Sequence, residues 1–241
     1  MSTRATYEHQ LQELSDMVVT MASMVDKAIG RSMEALRLQN VALAQDVRRS
    51  DTAINNVHRH GEEMLNMLIA TQAPVGRDLR LITSTMAVFS NLERMGDYAA
   101  GIAKIVVATA DQDLIKPLVD LPRMAQIARE MLNDAVSAYI ERDADMARQI
   151  AARDDEVDDL YDQIFVDLID YMRSDAEAID GATRLMWVSH NIERIADRVT
   201  NLCERIVFIV TGEFEELDTG RYERQRFSRN GSSDNGTSGN A

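Results

Sequence analysis

Two short acidic stretches hold the residue types in this chain that could do chemistry. NLERMGD and NIERIAD recur one hundred residues apart and share the pattern Asn-x-Glu-Arg-x-x-Asp. Glu93 and Asp97 belong to the first copy, and Glu193 and Asp197 belong to the second. Residues four apart on a helix share one face, with Cβ atoms about 5–6 Å apart. Paired carboxylates repel unless a cation lies between them, and oxygen ligands suit Mg²⁺, Ca²⁺, Mn²⁺ or Fe³⁺. The two copies therefore predict a pair of cation sites.

A second repeat supplies acidic residues that could face these motifs. At a spacing of 103 residues, Asp51 matches Asp154 and Asn55 matches Asp158. If their helices pack against the motif helices, acidic residues face each other in each half. Without metal, such clustered carboxylates should have raised pKa values, because like charges disfavour ionisation. The full set of candidate metal ligands is Glu193, Asp197, Asp154, Asp158, Glu204, Glu93, Asp97 and Asp51.

The two predicted sites are unequal. The second motif is followed by Asn201 and Glu204, which extend its acidic face, whereas the first is followed by Gly101 and Lys104. The first half also has Asn55 where the second has an aspartate. We expect the first site to bind metal more weakly or not at all.

Solvated surface charge is the alternative reading of both motifs. An arginine lies three residues before each motif aspartate, Arg94 before Asp97 and Arg194 before Asp197. Such a spacing allows an ion pair within one helix. The acids would then need no metal.

The surrounding sequence predicts an all-α protein. Apolar residues recur every three or four positions along six long segments, three in each half, and aromatics are only 5% of the chain. Asn40 and Asp143 are expected to cap helices, and Pro74 should end the second helix. Helices of about 30 residues are about 45 Å long, which is typical of bundles. We therefore expect two tandem, pseudo-symmetric three-helix bundles.

Domain boundaries follow from the repeat and from the prolines. The first three-helix repeat is predicted at 1–112 and the second at 113–217, with a linker at 111–122 that holds two of the three prolines. The segment 218–241 is rich in Ser, Gly, Asn and Arg without apolar periodicity, so a disordered tail is expected.

Charge and composition exclude several function classes. The net charge is −14, which opposes binding to nucleic acid and to anionic membrane surfaces. The single cysteine forms no intramolecular disulfide and suits a reducing cytoplasm. The charged N-terminal stretch predicts no signal peptide, and no apolar run reaches the length expected of a membrane span.

Other chemical sites are poorly supported. No Glu-x-x-His pair provides the ligands of a ferritin-like di-iron centre. His58 and His60 are expected on the surface, and His190 is expected to cap or to lie on the surface. Cys203 aligns with an alanine in the repeat, so it should be a small buried residue. No phosphate-binding glycine loop or nucleophile elbow is present.

The doubled motif resembles the PhoU family of phosphate-transport accessory proteins. The stretches NLERMGDYAAGIAK and NIERIADRVTNLCE, with RSDTAIN, ARDDEVD and APVGRDLRLI, carry the resemblance over residues 7–212. It implies two three-helix bundles in a cytoplasmic, homodimeric regulator without enzymatic activity. It also implies restraint of the phosphate-starvation regulon and of phosphate uptake. The implied partners are the ATPase subunit of a phosphate ABC transporter and a membrane sensor histidine kinase, with membrane contact only through partners.

The same resemblance implies metal binding at the Glu/Asp-x-x-x-Asp motifs. Carried over, these are Glu93 with Asp97 and Glu193 with Asp197, with the aspartates of the facing helices beside them. The ion would be Mg, Mn, Zn or Fe. A metal-storage bundle or a metal-dependent enzyme remains the alternative function.

Overall fold

The computed structural model describes residues 3–110 and 119–217, and side chains from residue 5 onward. Helices account for nearly all of this part, and it contains no strand. The helices are α1 (Thr3–Leu38), α2 (Val41–Gln72), α3 (Arg77–Ala108), α4 (Asp120–Glu141), α5 (Ala144–Ala151), α6 (Asp154–Ser174) and α7 (Ile179–Thr211), with a 3₁₀ turn (Ala176–Ala178) before α7. The all-α prediction is confirmed. The predicted tail at 218–241 and most of the linker lie outside the described residues.

The same turn joins the first two helices of each half. Gln39 and Arg142 adopt left-handed conformations with φ of 48° and 56°. The next residue in each case, Asn40 or Asp143, donates its backbone N–H to a carbonyl five residues earlier. Asn40 then accepts from the backbone N–H of Leu43 through its side chain, and Asp143 accepts from two backbone N–H groups in the same way. Both predicted caps are confirmed.

Two local predictions need correction. The fifth predicted helix is interrupted at Ala152 and Arg153, where the N–H of Arg153 bonds to Ile150 three residues back, so α5 and α6 are separate. The predicted linker ends too late, because α4 begins at Asp120 and includes Pro122. A proline in the first helical turn costs no hydrogen bond, since N–H groups there have no partner within the helix. Pro74 does lie between helices, as predicted.

The helices form two units that share one hydrophobic core. Helices α1, α2 and α3 contact one another, as do α4, α6 and α7, with α5 against α4 and α7. The units meet most extensively along α3 and α7, and α1 also contacts α4. Across the junction, Tyr139 and Thr85 share a buried 2.7 Å hydrogen bond, and Arg129 pairs with Asp26 at 2.8 Å. The buried apolar residues of both units belong to one cluster.

The core of the first half contains a close contact between a glycine and a phenylalanine. Gly61 of α2 lies against Phe89 of α3, and a Cβ at Gly61 would be 2.7 Å from the ring. At the equivalent positions of the second half are Ile164 and Ser189, both buried. The large and the small residue have therefore changed helices between the two copies.

No helix among the described residues combines the length and the apolar character needed to cross a membrane.

Candidate cation site on two helix pairs

Helices α2 and α3 bring the predicted acids of the first half together. Asp51 and Asn55 are one turn apart on α2, and the Asn55 amide donates to Asp51 Oδ2 at 3.1 Å. Asp51 Oδ1 and Asn55 Oδ1 are buried without a hydrogen-bond partner. Both atoms are acceptors, so a donor or a cation would satisfy them.

The electrostatics of this group are those of crowded carboxylates. Burial raises the pKa of Asp51 above its usual value, and the charge of Asp97 raises it further. The pKa of Glu93 is raised by the same two causes in the same order. Glu93, Asp97 and Asp51 therefore interact across the α2–α3 contact, as the repeat predicted.

His58 lies beside this group, although a surface position was expected for it. Its side chain is only 20% exposed, and its Nε2 lies 3.5 Å from a carboxylate oxygen of Glu62. A positive charge on His58 would lower the pKa of Glu93. The signal was available, because positions 51, 55 and 58 follow a four-then-three spacing and share one helix face. His60, by contrast, is exposed as predicted.

The second half places its motif acids beside basic and aromatic groups. Arg194 donates to Asp197 at 2.8 Å, and Tyr98 of α3 is the largest of the influences that raise the pKa of the same guanidinium. His190 Nδ1 lies 3.4 Å from a Glu193 oxygen, and burial together with Arg194 lowers the pKa of His190. Burial and the Glu193 charge raise the pKa of Tyr161 on α6. This end of the site is a mixed acidic, basic and aromatic cluster.

The remaining second-half acids lie further toward the end of α7. Cys203 is fully buried, as predicted, and burial first, then Glu204 and Asp154, raises its pKa to about 12. Glu204 of α7 and Asp154 of α6 therefore both lie near enough to Cys203 for their charges to act on it. Asp158 is half-buried one turn along α6. One oxygen of Glu204 accepts the backbone N–H of Leu217 at 3.0 Å.

The asparagines of the motif serve their own helices. The side-chain amides of Asn91 and Asn191 donate to the carbonyl four residues earlier, at 2.9 and 2.6 Å, and Asn201 does the same at 2.7 Å. Gly101 also has a packing role that sequence reasoning missed. A Cβ there would be 3.1 Å from the side-chain oxygen of Asn191, so the glycine lets α3 and α7 approach closely.

The candidate residues have suitable donor atoms for a cation, but their side chains are not grouped closely enough to bind one. Buried carboxylate and amide oxygens without donors in the first half are suitable ligands for a hard cation. Within residues 3–110 and 119–217, however, no three His, Cys, Asp or Glu side chains are grouped closely enough to hold a metal ion. A bound ion would therefore require side-chain rotation, and the ligand set stays a prediction.

The sequence profile of the PhoU domain matches this chain twice, at residues 18–106 and 121–206. A PhoU homologue of Clostridium acetobutylicum, described as a phosphate-specific transport system accessory protein, is 35% identical over 90% of this chain and 99% of its own length. The corresponding homologue of Aquifex aeolicus is 36% identical over 85% of this chain and 92% of its own.

Solved structures give the same result. The crystal structure of PhoU from Pseudomonas aeruginosa superposes with a TM-score of 0.82 at 28% identity, over 86% of this chain and all of that one. The phosphate transport system regulatory protein PhoU from Streptococcus pneumoniae superposes with a TM-score of 0.81 at 31% identity, over 87% of this chain and 99% of that one.

Proposed function

This chain belongs to the PhoU family, and we propose that it serves as an accessory protein of a phosphate-specific transport system. The observation that carries the proposal is the match of both halves, because the relatives described by that function align over nearly their whole length. The proposed action is negative regulation, in which the protein restrains the phosphate-starvation response and phosphate uptake while phosphate is plentiful.

The proposed partners are the ATPase subunit of the phosphate ABC transporter and a membrane sensor histidine kinase. The protein would reach the membrane only through these partners and would act in the cytoplasm, as a homodimer. Its net charge of −14 favours association with basic protein surfaces, because complementary charge speeds encounter and discourages wrong partners. Binding and not turnover is the proposed activity, so the protein would be no enzyme.

The acidic helix faces are proposed to bind a metal ion in support of this role. The first-half ligands would be Asp51, Glu93 and Asp97, with His58 beside them. The second-half set would be drawn from Glu193, Asp197, Asp154, Asp158 and Glu204. Of Mg, Mn, Zn and Fe, the oxygen-rich donors favour Mg, Mn or ferric iron, since zinc more often takes nitrogen or sulfur ligands. A bound ion would supply positive charge between carboxylates that otherwise repel.

Gene deletion tests the regulatory proposal. Removing the gene from its host should raise expression of phosphate-starvation genes in phosphate-rich medium, and the wild-type gene should restore repression. The Asp170→Asn variant removes an exposed acid outside the site and controls for the loss of a surface charge. It should also restore repression of the phosphate-starvation genes. An unchanged starvation response in the deletion strain would overturn the proposed function.

A separate measurement tests the metal proposal. Purified wild-type protein should gain thermal stability in millimolar Mg²⁺ or Mn²⁺, because a ligand that binds only the native state stabilises it. The Glu93→Gln/Asp97→Asn variant should lose part of this gain, and the Asp170→Asn variant should keep it. A wild-type melting temperature that does not respond to metal would count against the metal site alone.

A further inference from the structure

The chain folds back on itself after α7. Gly212 has a φ of 82° and ends the helix, with its N–H bonded to the Phe208 carbonyl at 2.9 Å. The ring of Phe214 then stacks on Phe208 with centroids 3.9 Å apart, and the Arg205 guanidinium lies 5.4 Å from the centroid of Phe214. This return segment, residues 212–217, is therefore held against the last turns of α7 by aromatic stacking and a cation–π contact.

Two polar contacts fix the direction of the return segment. Glu215 accepts three hydrogen bonds from Arg148 of α5, at 2.9–3.1 Å. Leu217 packs on the core and donates its N–H to Glu204, thirteen residues earlier in the chain. The segment thus runs antiparallel to α7, toward the start of that helix.

The helix face beneath the return segment continues into the second-half acids. Glu204 shares a face of α7 with Asp197 and Glu193, because the steps between them are seven and four residues. The same face reaches His190 and then Trp187, whose rings are 6.1 Å apart and edge-on. Trp187 is 58% exposed, which leaves a large aromatic side chain in solvent.

Helix α6 adds charge of the same sign along this path. Its first nine residues, DDEVDDLYD, contain six carboxylates and no basic residue. Tyr161 of α6 lies 6.4 Å from the His190 ring, so the acids end at a small aromatic group formed with Trp187. We call this surface, residues 154–162 of α6 and 187–204 of α7, the acidic–aromatic face.

The sequence that follows the return segment has the complementary chemistry. RYERQRFSR, residues 221–229, carries four arginines and one glutamate, and Tyr222 and Phe227 stand among them. Its formal charge is +3, from four positive and one negative side chain. Arginine pairs with carboxylates and stacks on aromatic rings, so the carboxylates of α6 and the aromatic group both suit it, while Asp197 on α7 already pairs with Arg194.

The segment that follows Leu217 is long enough to reach from Glu204 to Trp187. Trp187 lies seventeen residues before Glu204, which is about 26 Å along a helix at about 1.5 Å per residue. Twelve residues from 218 to 229 can extend over about 40 Å at about 3.3 Å per residue. Leu217, the last residue of the return segment, contacts Glu204, so the chain after it starts from this face.

We propose that the arginine-rich segment 218–229 docks in cis on the acidic–aromatic face of its own chain. Its arginines pair with carboxylates of α6 and α7, and Tyr222 or Phe227 lies near Tyr161, His190 and Trp187. A short tether gives the segment a high effective concentration, so weak contacts suffice. The docked segment covers the second-half acids, and a cation or a basic partner must displace it. This inference stands whether or not the protein serves phosphate transport.

The single tryptophan provides a direct test with the full-length chain. Acrylamide quenching of Trp187 should be weaker in wild type than in the variant Arg221→Gln/Arg224→Gln/Arg226→Gln/Arg229→Gln. Hydrogen exchange should show faster exchange in the variant at residues 154–162, because the covering segment is lost. Since each surface ion pair contributes little, four of them should change occupancy of the docked state by about tenfold at low salt. High salt should bring wild type toward the variant.

A matched control and a concentration series complete the test. Ser232→Ala/Ser233→Ala alters the same terminal region without removing an arginine, and it should behave like wild type. Quenching should be independent of protein concentration. Protection that appears only at high concentration would place the segment on a second copy and would overturn docking in cis. Equal quenching and equal exchange in wild type and the arginine variant would also overturn it.

Discussion

The two halves of the chain place the same motif in different surroundings. In the second half Arg194 pairs with Asp197, whose side chain is only 20% exposed. In the first half Asp97 and Arg94 are both exposed, and the burial falls on Asp51 and Glu93 instead. A basic group thus partly neutralises the second motif, whereas the first half has half-buried carboxylates with raised pKa values. A duplicated set of acids therefore does not imply a duplicated electrostatic site.

The first half has features that oppose the weaker metal binding expected of it. The expectation relied partly on Gly101, read as a missing ligand position, but that glycine makes room for Asn191. The unsatisfied oxygens of Asp51 and Asn55 give the first half its own need for a cation. Metal titration of each half, through Glu93→Gln/Asp97→Asn and Glu193→Gln/Asp197→Asn, will show which half binds more tightly.

The residues that pack in the core at equivalent positions also differ between the two halves. Gly61 and Phe89 fill the α2–α3 contact, and Ile164 and Ser189 occupy the equivalent positions between α6 and α7. Each pair joins one small and one large residue, with the order reversed. Packing volume, and not residue identity at one position, has been preserved between the repeats.

The largest expected effect comes from breaking this pair in the first half. Phe89→Ser should lower the free energy of unfolding by about 3–5 kcal/mol, because it removes a fully buried ring and leaves a cavity beside Gly61. Chemical denaturation monitored by circular dichroism measures the loss.

The double variant Gly61→Ile/Phe89→Ser transfers the second-half pair into the first half. It should recover part of the loss, because the isoleucine refills the space that the ring vacates. Gly61→Ile alone should destabilise the protein, since even a Cβ there would be 2.7 Å from Phe89. Strictly additive effects of the two changes would contradict the exchange of volume between the helices.

The sequence predicted the helices well because periodicity and capping are local. Asn40, Asp143 and Pro74 marked helix ends through their own backbone and side-chain chemistry. No proline or glycine is present at the interruption at Ala152 and Arg153, so the local sequence did not predict it. The salt bridges of Arg153 to Glu130 and Asp134 tie the break to α4, which is a tertiary contact.

The sequence predicted which acids of the first half face each other, but it did not predict the other residues near the acids, and the metal-ligand set stays a prediction. Spacing alone placed Glu93 and Asp97 on one face, and the repeat found Asp51. Tyr98, which raises the pKa of Arg194, comes from the other half of the molecule, and no repeat pattern within one half could reveal it. Likewise, the contact of Leu217 with Glu204 depends on the path of the chain after α7.

Removing the two helix caps should destabilise the protein less than Phe89→Ser does. Asp143→Ala and Asn40→Ala should each lower the free energy of unfolding by about 0.5–2 kcal/mol. The loss at Asp143 should be the larger of the two. Its carboxylate accepts from two backbone N–H groups and carries charge at a helix N-terminus, whereas Asn40 accepts from one. Thermal melts of both variants provide the comparison.

Conservative variants separate capping from general surface effects. Asp143→Asn should retain most of the stability, because an asparagine side chain also accepts from the backbone. A loss at Asn40 equal to or greater than that at Asp143 would show that the number of bonds does not determine the cap contribution here.

The smallest effect, and the only stabilising one, is expected at Asp51. Its raised pKa means that the native state holds a proton more tightly than the unfolded chain does. Stability without metal therefore falls as pH rises from the ordinary carboxylate pKa, about 3.9, through the raised value. Asp51→Asn removes the charge and should raise the melting temperature at pH 7 in the presence of a chelator. The gain should shrink as pH falls through the raised pKa, because wild-type Asp51 then becomes protonated and loses the same charge.

Asp46 on the same helix supplies a control of opposite sign. Hydrogen bonds from Arg31 and Arg49 lower the pKa of Asp46, so its ionised form stabilises the fold and that contribution is lost as pH falls through the lowered pKa. Asp46→Asn should therefore lower the melting temperature at pH 7. Added Mg²⁺ or Mn²⁺ should stabilise wild type and the Asp46 variant more than the Asp51 variant, because only the last loses a proposed ligand. If both substitutions shift stability in the same direction at pH 7, burial of Asp51 and its crowding with Asp97 do not destabilise its ionised form.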